Sequence, residues 1–363
     1  MNTLLVATLA APPLPTSMRA VTSTAVASGD GNFTMVHLLN RSVPTPGHGE
    51  ILLAVHASSV NPVDWKILSG GLPLRFPHVL GFDASGIVAA VGSGCNRIKV
   101  GDSVWADLGK TWLLRGGELG AYADYALADE SQVALKPQAM SFIDAASMPL
   151  VGLTTLQAFR MMGLDRPVAN ATVVVTSGSG GTGFVGIQMA KAYGASKVVA
   201  ACGPTTQDFC KDLGADVVVD YTKGPHALWQ AAGVDQVSYV YDNYGAPGTA
   251  DLAMGSMRSG GVFLFLPGKG AAVSKHPKAG VKQINFGLCD SSNHEDLDEL
   301  KALVDGGKLA ARVTRTFPLE QTIDAFRESY AGKAIGKIGI YVTPRAVSMW
   351  PRDLDSRSWA KLA

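Results

Sequence analysis

Residues 171–202, ATVVVTSGSGGTGFVGIQMAKAYGASKVVAAC, contain the pattern that decides the fold of this chain. A β-branched run at 172–176 predicts a strand that ends in a glycine-rich turn. Apolar residues then recur with a helical period from Val185 up to Gly194, and 197–202 is a second apolar run. Strand, glycine turn, helix and strand in this order predict a unit that binds a dinucleotide.

The glycines of this turn have G-x-G-x-x-G spacing, with a separate physical reason for each. We expect Gly178 to adopt a backbone conformation that a Cβ would forbid. Gly180 lets a pyrophosphate approach the backbone, and Gly183 lets the helix pack closely on its strand. The free N–H groups and the dipole of the helix start favour the negative phosphates. The predicted phosphate-binding residues are Ser177, Gly178, Ser179, Gly180, Gly181, Thr182 and Gly183.

Composition narrows the functional class. The 363 residues are 47% hydrophobic and 17% charged, which is ample for a core, and the net charge of +1 argues against an electrostatic nucleic-acid binder. The sequence contains no run of 18 apolar residues, so it predicts no transmembrane helix. The four cysteines are scattered without a C-x-x-C pair, which predicts free thiols in a reducing compartment.

The order of predicted elements divides the chain into segments. The first ~130 residues are mostly short strands and turns, and alternating strands and helices from Ala171 predict a parallel sheet with helices on both faces. The expected segments are 1–17 as a disordered or leader extension, 18–140 as a β domain, 141–275 as the dinucleotide-binding domain, 276–343 as the return to the first domain, and 344–363 as a tail. Residues 1–17 carry no basic residue, so we expect a cytoplasmic location, with organelle import through this extension as the alternative.

The residues after the second strand of the dinucleotide unit indicate which cofactor is preferred. An Asp or Glu at this position holds the ribose 2′-hydroxyl of NAD. Here the chain reads Cys-Gly-Pro-Thr-Thr over 202–206, and the first carboxylate is Asp208. Without repulsion of a 2′-phosphate, NADPH is favoured. The candidate residues for this end of the cofactor are Gly203, Thr205, Thr206, Lys211 and Tyr221.

Eight motifs in order resemble the medium-chain dehydrogenase/reductase superfamily, in its zinc-free quinone oxidoreductase-like branch. They are NPVDWK (61–66), LGFDASG (80–86), VGD (100–102), GAYADYA (120–126), PLVGLTT (149–155), TSGSGGTG (176–183), LGADVVVDY (213–221) and GKIGIYV (336–342). The resemblance covers about residues 18–343. It implies an α/β fold, in which a Rossmann doubly wound parallel sheet is inserted in a GroES-like β-barrel domain, and an active site between the two domains.

The zinc-dependent alcohol dehydrogenases of this superfamily differ at the metal-binding positions. They carry a cysteine where this chain has Asn61-Pro62-Val63-Asp64, and a G-H-E motif where it has Gly81-Phe82-Asp83. The four-cysteine structural lobe is also missing. We therefore expect no metal, and a hydride transfer to a quinone or to the β-carbon of an α,β-unsaturated carbonyl, with hydrogen-bond donors stabilising the resulting anion.

The resemblance also implies roles for single residues. Asn61 lies beside the nicotinamide and the substrate, and Lys66 is a candidate cationic donor, although an exposed lysine without a role is the alternative. Trp65 and Tyr122 are candidates for the acceptor pocket, or for core packing. The residues that the resemblance implies at the nicotinamide, its ribose and the phosphates are Thr154, Asn243, Leu266, Gly336 and Lys337.

Three readings of function remain open from the sequence. The first is an NADPH-dependent quinone or enone reductase. The second is a trans-2-enoyl thioester reductase, for which Arg75, Lys110 and Arg115 are candidate rim charges. The third is a non-catalytic NADPH-binding structural or sensor protein. The family also implies a homodimer that joins sheet edges, with 260–266 as the expected edge strand.

Overall fold

The computed structural model describes residues 13–26, 31–69, 76–110, 120–267, 270 and 272–342. Residues 1–12 of the extension expected at 1–17, and the tail expected at 344–363, therefore lie outside the described residues. The structure comprises two domains, each built on its own sheet. No helix in the described part of the chain has the length and apolar character needed to cross a membrane.

The elements follow in chain order. The N-terminal part contains β1 (Ser17–Ser23), β2 (Val36–Ser42), β3 (Glu50–Val60), α1 (Pro62–Lys66), β4 (His78–Val79), β5 (Asp83–Val91), β6 (Ser103–Asp107), β7 (Tyr125–Asp129) and β8 (Val133–Leu135). The middle part contains α2 (Phe142–Ala146), α3 (Pro149–Met162), β9 (Thr172–Val175), α4 (Gly181–Ala192), β10 (Lys197–Cys202), α5 (Gln207–Asp212), β11 (Val217–Asp220), α6 (Ala227–Ala232), β12 (Val237–Asp242), α7 (Thr249–Met254), β13 (Met257–Phe265), β14 (Lys282–Asn285) and α8 (His294–Asp305). The last part contains β15 (Val313–Pro318), α9 (Thr322–Tyr330) and β16 (Lys337–Tyr341).

The middle part forms a six-stranded parallel sheet in the order β11-β10-β9-β12-β13-β14. This is the Rossmann strand order, in which the chain reverses direction across the sheet beside β9. Separate apolar clusters cover its two faces, one centred on Val173 and Val175 and the other on Val174 and Val199. Because both faces of these strands are covered, the residues that point to either face are apolar. The sequence-based prediction of an α/β fold is confirmed.

The first and last parts of the chain together form the GroES-like domain. Strands β15 and β16, which come from the C-terminal part, complete a sheet in the order β15-β16-β3-β5-β6-β8, with β7 paired to β3. A small sheet of β2, β1 and β4 lies beside it. The Rossmann domain is therefore an insertion between β8 and β15, as the resemblance implied.

Two boundaries differ from the expectations. The segment 276–343 was expected in the first domain, but β14 pairs in parallel with β13, with Phe265 opposite Asn285. This strand therefore belongs to the Rossmann sheet, and in the described residues it, rather than 260–266, is the edge strand. The strand expected at 120–126 begins at Tyr125, because the preceding residues bond to the backbone of Leu80 and Gly81.

The glycine turn is held by close backbone packing. The positive φ of the turn falls on Ser177 (47°) and not on Gly178, so the conformational reason expected for Gly178 is wrong. A Cβ on Gly178 would instead lie 3.1 Å from the Ala200 and Ile187 side chains. A Cβ on Gly183 would lie 2.0 Å from the Ser177 carbonyl oxygen, which confirms its predicted role in close packing.

Substitution of Gly183 tests this packing. Gly183→Ala should lower the free energy of unfolding by about 1–3 kcal/mol, since the clash is with backbone that cannot move independently. Gly255→Ala is the matched control, because Gly255 has φ −67° and open space around its Cβ position. Urea denaturation should show the control within about 0.5 kcal/mol of the wild type. Equal effects of both substitutions would contradict the packing argument.

Candidate functional site

The turn between β9 and α4 presents a helix start to the junction of the two domains. Gly180 precedes the helix with extended backbone, and its N–H donates to the Ser177 carbonyl at 2.9 Å. The first helical hydrogen bond runs from Phe184 N–H to the Gly180 carbonyl. The N–H groups of Gly181, Thr182 and Gly183 consequently have no intrahelical acceptor, which is the geometry of an anion site.

The turn after β10 contains no carboxylate. Gly203 N–H donates to the Thr206 hydroxyl at 3.1 Å, and the 63%-exposed Tyr221 ring flanks the turn. Lys211 and Asp208 are exposed on α5, with 3.2 Å between Nζ and Oδ1. The predicted residues of the 2′ end therefore lie around one turn, and the exposed Lys211 lies in the last turn of the helix that follows it.

Asn243 follows β12, at the edge of the parallel sheet where ligands bind in such folds. Its backbone N–H donates to the Thr176 hydroxyl at 3.0 Å. Its side-chain oxygen and nitrogen are both buried, and neither has a hydrogen-bond partner among the described residues. Since buried amides are normally paired, this side chain is suited to a polar ligand group. Leu266 follows the adjacent β13, and its N–H donates to the Asp242 carbonyl.

Asp83 is the centre of a buried polar network at the domain junction. Its Oδ2 accepts from the Ser59 hydroxyl and from Asn61 Nδ2, each at 2.7 Å. Its Oδ1 accepts from the Leu150 N–H at 2.8 Å, at the start of α3 in the Rossmann domain. The carboxylate therefore links β5 to the start of α1 and to the start of α3 through three hydrogen bonds that it accepts.

Lys337, at the start of β16, is the cation of this network. Its Nζ donates to Asn61 Oδ1 at 2.5 Å and to the Val60 carbonyl at 3.1 Å, and it lies 3.5 Å from Asp83 Oδ2. Burial lowers its pKa, against the opposing attraction of Asp83. The family resemblance predicted that Lys337 lies near the cofactor phosphates. The structure instead places its ammonium on Asn61, while the neighbouring Gly336 N–H donates to the Ser179 carbonyl of the glycine turn at 2.7 Å.

Asp64 and Tyr122 support Asn61 from behind. Asp64 Oδ2 accepts from the Asn61 N–H at 2.6 Å and contacts the Tyr122 hydroxyl at 2.8 Å. Burial raises the pKa of Asp64 to about 7. The Tyr122 ring has no exposed surface (0%), and its hydroxyl donates to the Asp64 carboxyl and to the Ser59 carbonyl. Its predicted place in the acceptor pocket is therefore replaced by the alternative, a core residue.

The structure places Lys66 and Trp65 on the outer side of α1. Lys66 is exposed, with its Nζ 5.8 Å from the centre of the Trp65 ring. Trp65 Nε1 donates to the Ser329 hydroxyl at 3.0 Å, and its ring packs edge-on against Tyr330. These contacts are separate from the buried network around Asn61, so they give no support to a catalytic role for Lys66.

A second polar group at the junction was missed by the sequence analysis. Asp107, at the end of β6, is 1% exposed, and its Oδ2 accepts from the Cys289 thiol at 3.6 Å. The Thr154 side chain of α3 lies close enough to this thiol to lower its pKa, against the larger effect of burial. Burial raises the pKa of Asp107 to about 7. An isolated aspartate ending a strand and an isolated cysteine 182 residues later carry no sequence signal that would join them.

Comparison with known proteins agrees with the assignment of both domains. A family model described as an alcohol dehydrogenase GroES-like domain matches residues 47–138, and one described as a zinc-binding dehydrogenase matches 213–338. The chain is 36% identical to a chloroplast envelope quinone oxidoreductase homolog of Arabidopsis thaliana, over 82% of this chain and 91% of that protein. This chain belongs to the medium-chain dehydrogenase/reductase superfamily. Within it, the quinone oxidoreductase homologues place the chain in the quinone oxidoreductase-like branch.

Two further members of this superfamily are similar over most of the chain. An NADPH-dependent alkenal/one oxidoreductase of Arabidopsis thaliana is 31% identical, over 84% of this chain and 75% of that protein. The solved structure of the quinone oxidoreductase from Coxiella burnetii has a TM-score of 0.76 and 27% identity, and the match covers 90% of this chain and 99% of that one.

The described residues of this superfamily member contain no group of three or more His, Cys, Asp and Glu side chains that could hold a metal ion. Asn61, which stands where the zinc-dependent members carry a cysteine, is an amide bonded at both ends to Asp83 and Lys337. An amide so engaged is a poor substitute for a thiolate ligand of zinc.

Removal of the buried cation tests the network. Lys337→Met should lower the free energy of unfolding by about 3–5 kcal/mol, because it leaves the charge of Asp83 buried without its counter-ion. Adding Asp83→Asn should restore part of this loss, since the second substitution removes the unpaired charge. A double-mutant cycle measured by chemical denaturation checks the coupling. Additive losses would show that the two side chains do not act as a pair.

Proposed function

We propose that this chain is an NADPH-dependent reductase that transfers hydride to quinones or α,β-unsaturated carbonyls without a metal ion. The observation that carries the proposal is the buried polar network around Asn61, at the junction of the two domains. A lysine and an aspartate hold the Asn61 amide beside the cofactor turn, at the position where the zinc-dependent relatives place a metal ligand.

The cofactor site fits a dinucleotide in three places. The free N–H groups of the α4 start suit the pyrophosphate. The carboxylate-free turn at 202–206 suits a 2′-phosphate, with the hydroxyls of Thr205 and Thr206 and the Lys211 ammonium as donors. The unpaired amide of Asn243 offers both a donor and an acceptor to the nicotinamide half. When bound, NADPH supplies the hydride.

The protein residues then position the acceptor and its developing charge. Asn61 Nδ2 uses one N–H on Asp83, and its second N–H is a donor for an acceptor oxygen. The Lys337 ammonium on Asn61 Oδ1 polarises this amide towards donation. Because these donors stabilise an anion less strongly than a zinc ion would, an acceptor that is already polarised suits the site better than an alcohol.

The relatives support the same substrate classes. Their names describe a quinone oxidoreductase homolog and an NADPH-dependent alkenal/one oxidoreductase. The thioester reductase is not favoured, and two of its three candidate rim residues, Arg75 and Arg115, lie outside the described residues. The non-catalytic binding protein is not favoured either, since both relatives are described as oxidoreductases.

Acceptor reduction tests the proposal directly. With NADPH, the purified chain should reduce 1,4-benzoquinone, 9,10-phenanthrenequinone or a 2-alkenal faster than crotonyl-CoA, and dialysis against a chelator should not change the rates. Absorbance at 340 nm gives the rates, and NADH should be the poorer cofactor. Preference for crotonyl-CoA would favour the thioester reductase. NADPH binding without any turnover would favour the binding protein.

Lys211→Ala extends this test to the 2′-phosphate. Loss of an exposed cation is worth about 0.2–1 kcal/mol, so the KM for NADPH should rise about 1.5- to 5-fold, with no change for NADH. Lys191→Ala is the matched control, because Lys191 forms an exposed ion pair of the same kind with Asp216 at 3.1 Å. An equal change for both cofactors would place Lys211 outside the phosphate site.

A homodimer is proposed on the family resemblance alone. The strand available for edge pairing is β14, since it covers the strand first expected there. Light scattering of the purified chain tests this assembly, and a monomer mass would contradict it.

A cytoplasmic location is proposed from the composition of the chain, with import through residues 1–17 as the alternative. The names of both Arabidopsis relatives refer to the chloroplast, which makes the alternative important to test. Residues 1–17 fused to a fluorescent protein should leave it in the cytoplasm, and accumulation in an organelle would contradict this.

A further inference from the structure

The sheet of the GroES-like domain places two aspartates side by side. In the antiparallel pairing of β5 with β6, Asp83 is directly opposite Asp107. Residues opposite one another project from the same face, and like charges in such a pair repel. Both side chains are almost fully buried, at 0% and 1% exposed. Two carboxylate charges at this place would therefore be unfavourable, and one of the two carboxyls is better protonated.

The hydrogen bonds decide which aspartate keeps the proton. Asp83 accepts from three donors and faces the Lys337 ammonium. Asp107, among the described residues, accepts only from the Gly109 N–H at 2.9 Å and from the Cys289 thiol at 3.6 Å. Asp107, which has fewer donors, is thus the member of the pair that is better placed to hold the proton.

The other charged groups around Asp107 agree with this assignment. Asp64 on α1 adds a smaller repulsion whenever it is charged, and Lys337 on β16 is already engaged by Asn61 and Asp83. Burial and the charge of Asp83, in this order, raise the pKa of Asp107 to about 7. The carboxyl therefore exchanges its proton close to neutral pH.

Cys289 connects this carboxyl to the reaction site. Cys289 lies in the loop that connects β14 to α8 and remains partly exposed. Its thiol contacts Asp107 of the GroES-like domain and lies beside Thr154 of the Rossmann domain. Thr154 is the residue of α3 that the family resemblance places at the nicotinamide. Burial and Asp107 raise the pKa of the thiol well above its ordinary value, so it stays protonated.

We propose that Cys289 and Asp107 deliver the proton that completes the reduction of an α,β-unsaturated carbonyl, with Cys289 touching the acceptor and Asp107 acting through it. The inference rests on the proposed function and names the proton source for it.

The step balances in atoms and charge. After the β-carbon has received hydride, the acceptor is an enolate. The S–H bond of Cys289 breaks as a C–H bond forms at the α-carbon, and the Asp107 proton passes to the sulfur. Asp107 is left as a carboxylate and regains a proton from water. The sum is consumption of one NADPH and one proton for each enone reduced.

The two acceptor classes should depend on this relay to different degrees. An enolate must be protonated at carbon, which is slow without a positioned acid. A reduced quinone carries its charge on oxygen and can take its proton from water. The relay should therefore matter for a 2-alkenal and be nearly dispensable for 1,4-benzoquinone.

Asp107→Asn and Cys289→Ala in the full chain test the relay. Each should lower kcat for a 2-alkenal by about 100-fold, the lower end of what a positioned acid contributes. The loss in kcat for 1,4-benzoquinone should be much smaller than the loss for the alkenal, and urea denaturation of each variant shows whether it is folded. Wild-type kcat for the alkenal should fall as pH rises above about 7, and this fall should disappear in D107N. Cys95→Ala is the matched thiol control. Cys95 is also partly buried, and its thiol donates to the Glu50 carbonyl at the start of β3, not to Asp107.

A measurement without cofactor or acceptor reports the stored proton separately. A raised carboxyl pKa adds stability that is complete below the ordinary pKa of aspartate and is lost as pH rises through about 7. The stability of the wild type relative to D107N should therefore fall between pH 5 and pH 8 in urea denaturation. No such fall would show that Asp107 does not hold the proton and would overturn the proposal.

The remaining outcomes separate the relay from the function. Equal losses for alkenal and quinone in both variants would assign the pair a structural role and overturn the relay. Unchanged alkenal rates would do the same, while the reductase function would stand. A wild-type chain that reduces quinones but no alkenal would contradict the relay alone. A chain that reduces neither would remove the proposed function, and the denaturation experiment would still report the protonation of Asp107.

Discussion

The structure depends on one buried ion pair, that of Lys337 with Asp83, and on the Asn61 amide held with it. Lys337 comes from β16, near the end of the described chain, whereas Asp83 and Asn61 come from its first quarter. Desolvation of both charges is unfavourable, so the pair is stable only because further donors complete it. One of these is the Leu150 N–H of the Rossmann domain. The charge pair therefore needs both domains in place, which makes it a device for fixing their relative position.

The same strand couples this pair to the cofactor turn. Gly336 N–H bonds the Ser179 carbonyl, and the next residue is Lys337. A Cβ on Gly336 would lie 2.2 Å from the Arg312 carbonyl oxygen, and its φ is 60°, so this position requires glycine for two reasons. The backbone of β16 thus touches the phosphate-binding turn while the next side chain holds Asn61. Binding of a dinucleotide at the turn and positioning of the amide are consequently linked through two adjacent residues.

The sequence was sufficient for the fold because its evidence is local. Glycine spacing, β-branched runs and helical periods each lie within a few residues, and they predicted the parallel sheet, the strand–turn–helix–strand unit and the glycine turn. It was less informative where a property depends on residues far apart. The position of β14 is set by pairing with β13 across a connection without a periodic signal. The family resemblance placed Lys337 at the phosphates, and no local pattern could indicate its contact with Asn61, which spans 276 residues. The resemblance also singled out Lys66, but the structure places this side chain on the outer face of α1.

The number of buried carboxyls and cations at the domain junction is the physical basis of the proposed proton relay. Three buried carboxyls, Asp64, Asp83 and Asp107, share one buried ammonium, Lys337. In a medium of low polarity, two further negative charges would be strongly unfavourable, and the chain supplies no second cation to these groups among the described residues. Protonation of Asp64 and Asp107 is the less costly solution, and the pKa of each is raised to about 7. In the zinc-dependent relatives a metal cation would stabilise the reacting oxygen. Here a surplus of carboxyls over cations leaves exchangeable protons in the same place, which is what reduction of a carbon–carbon double bond requires.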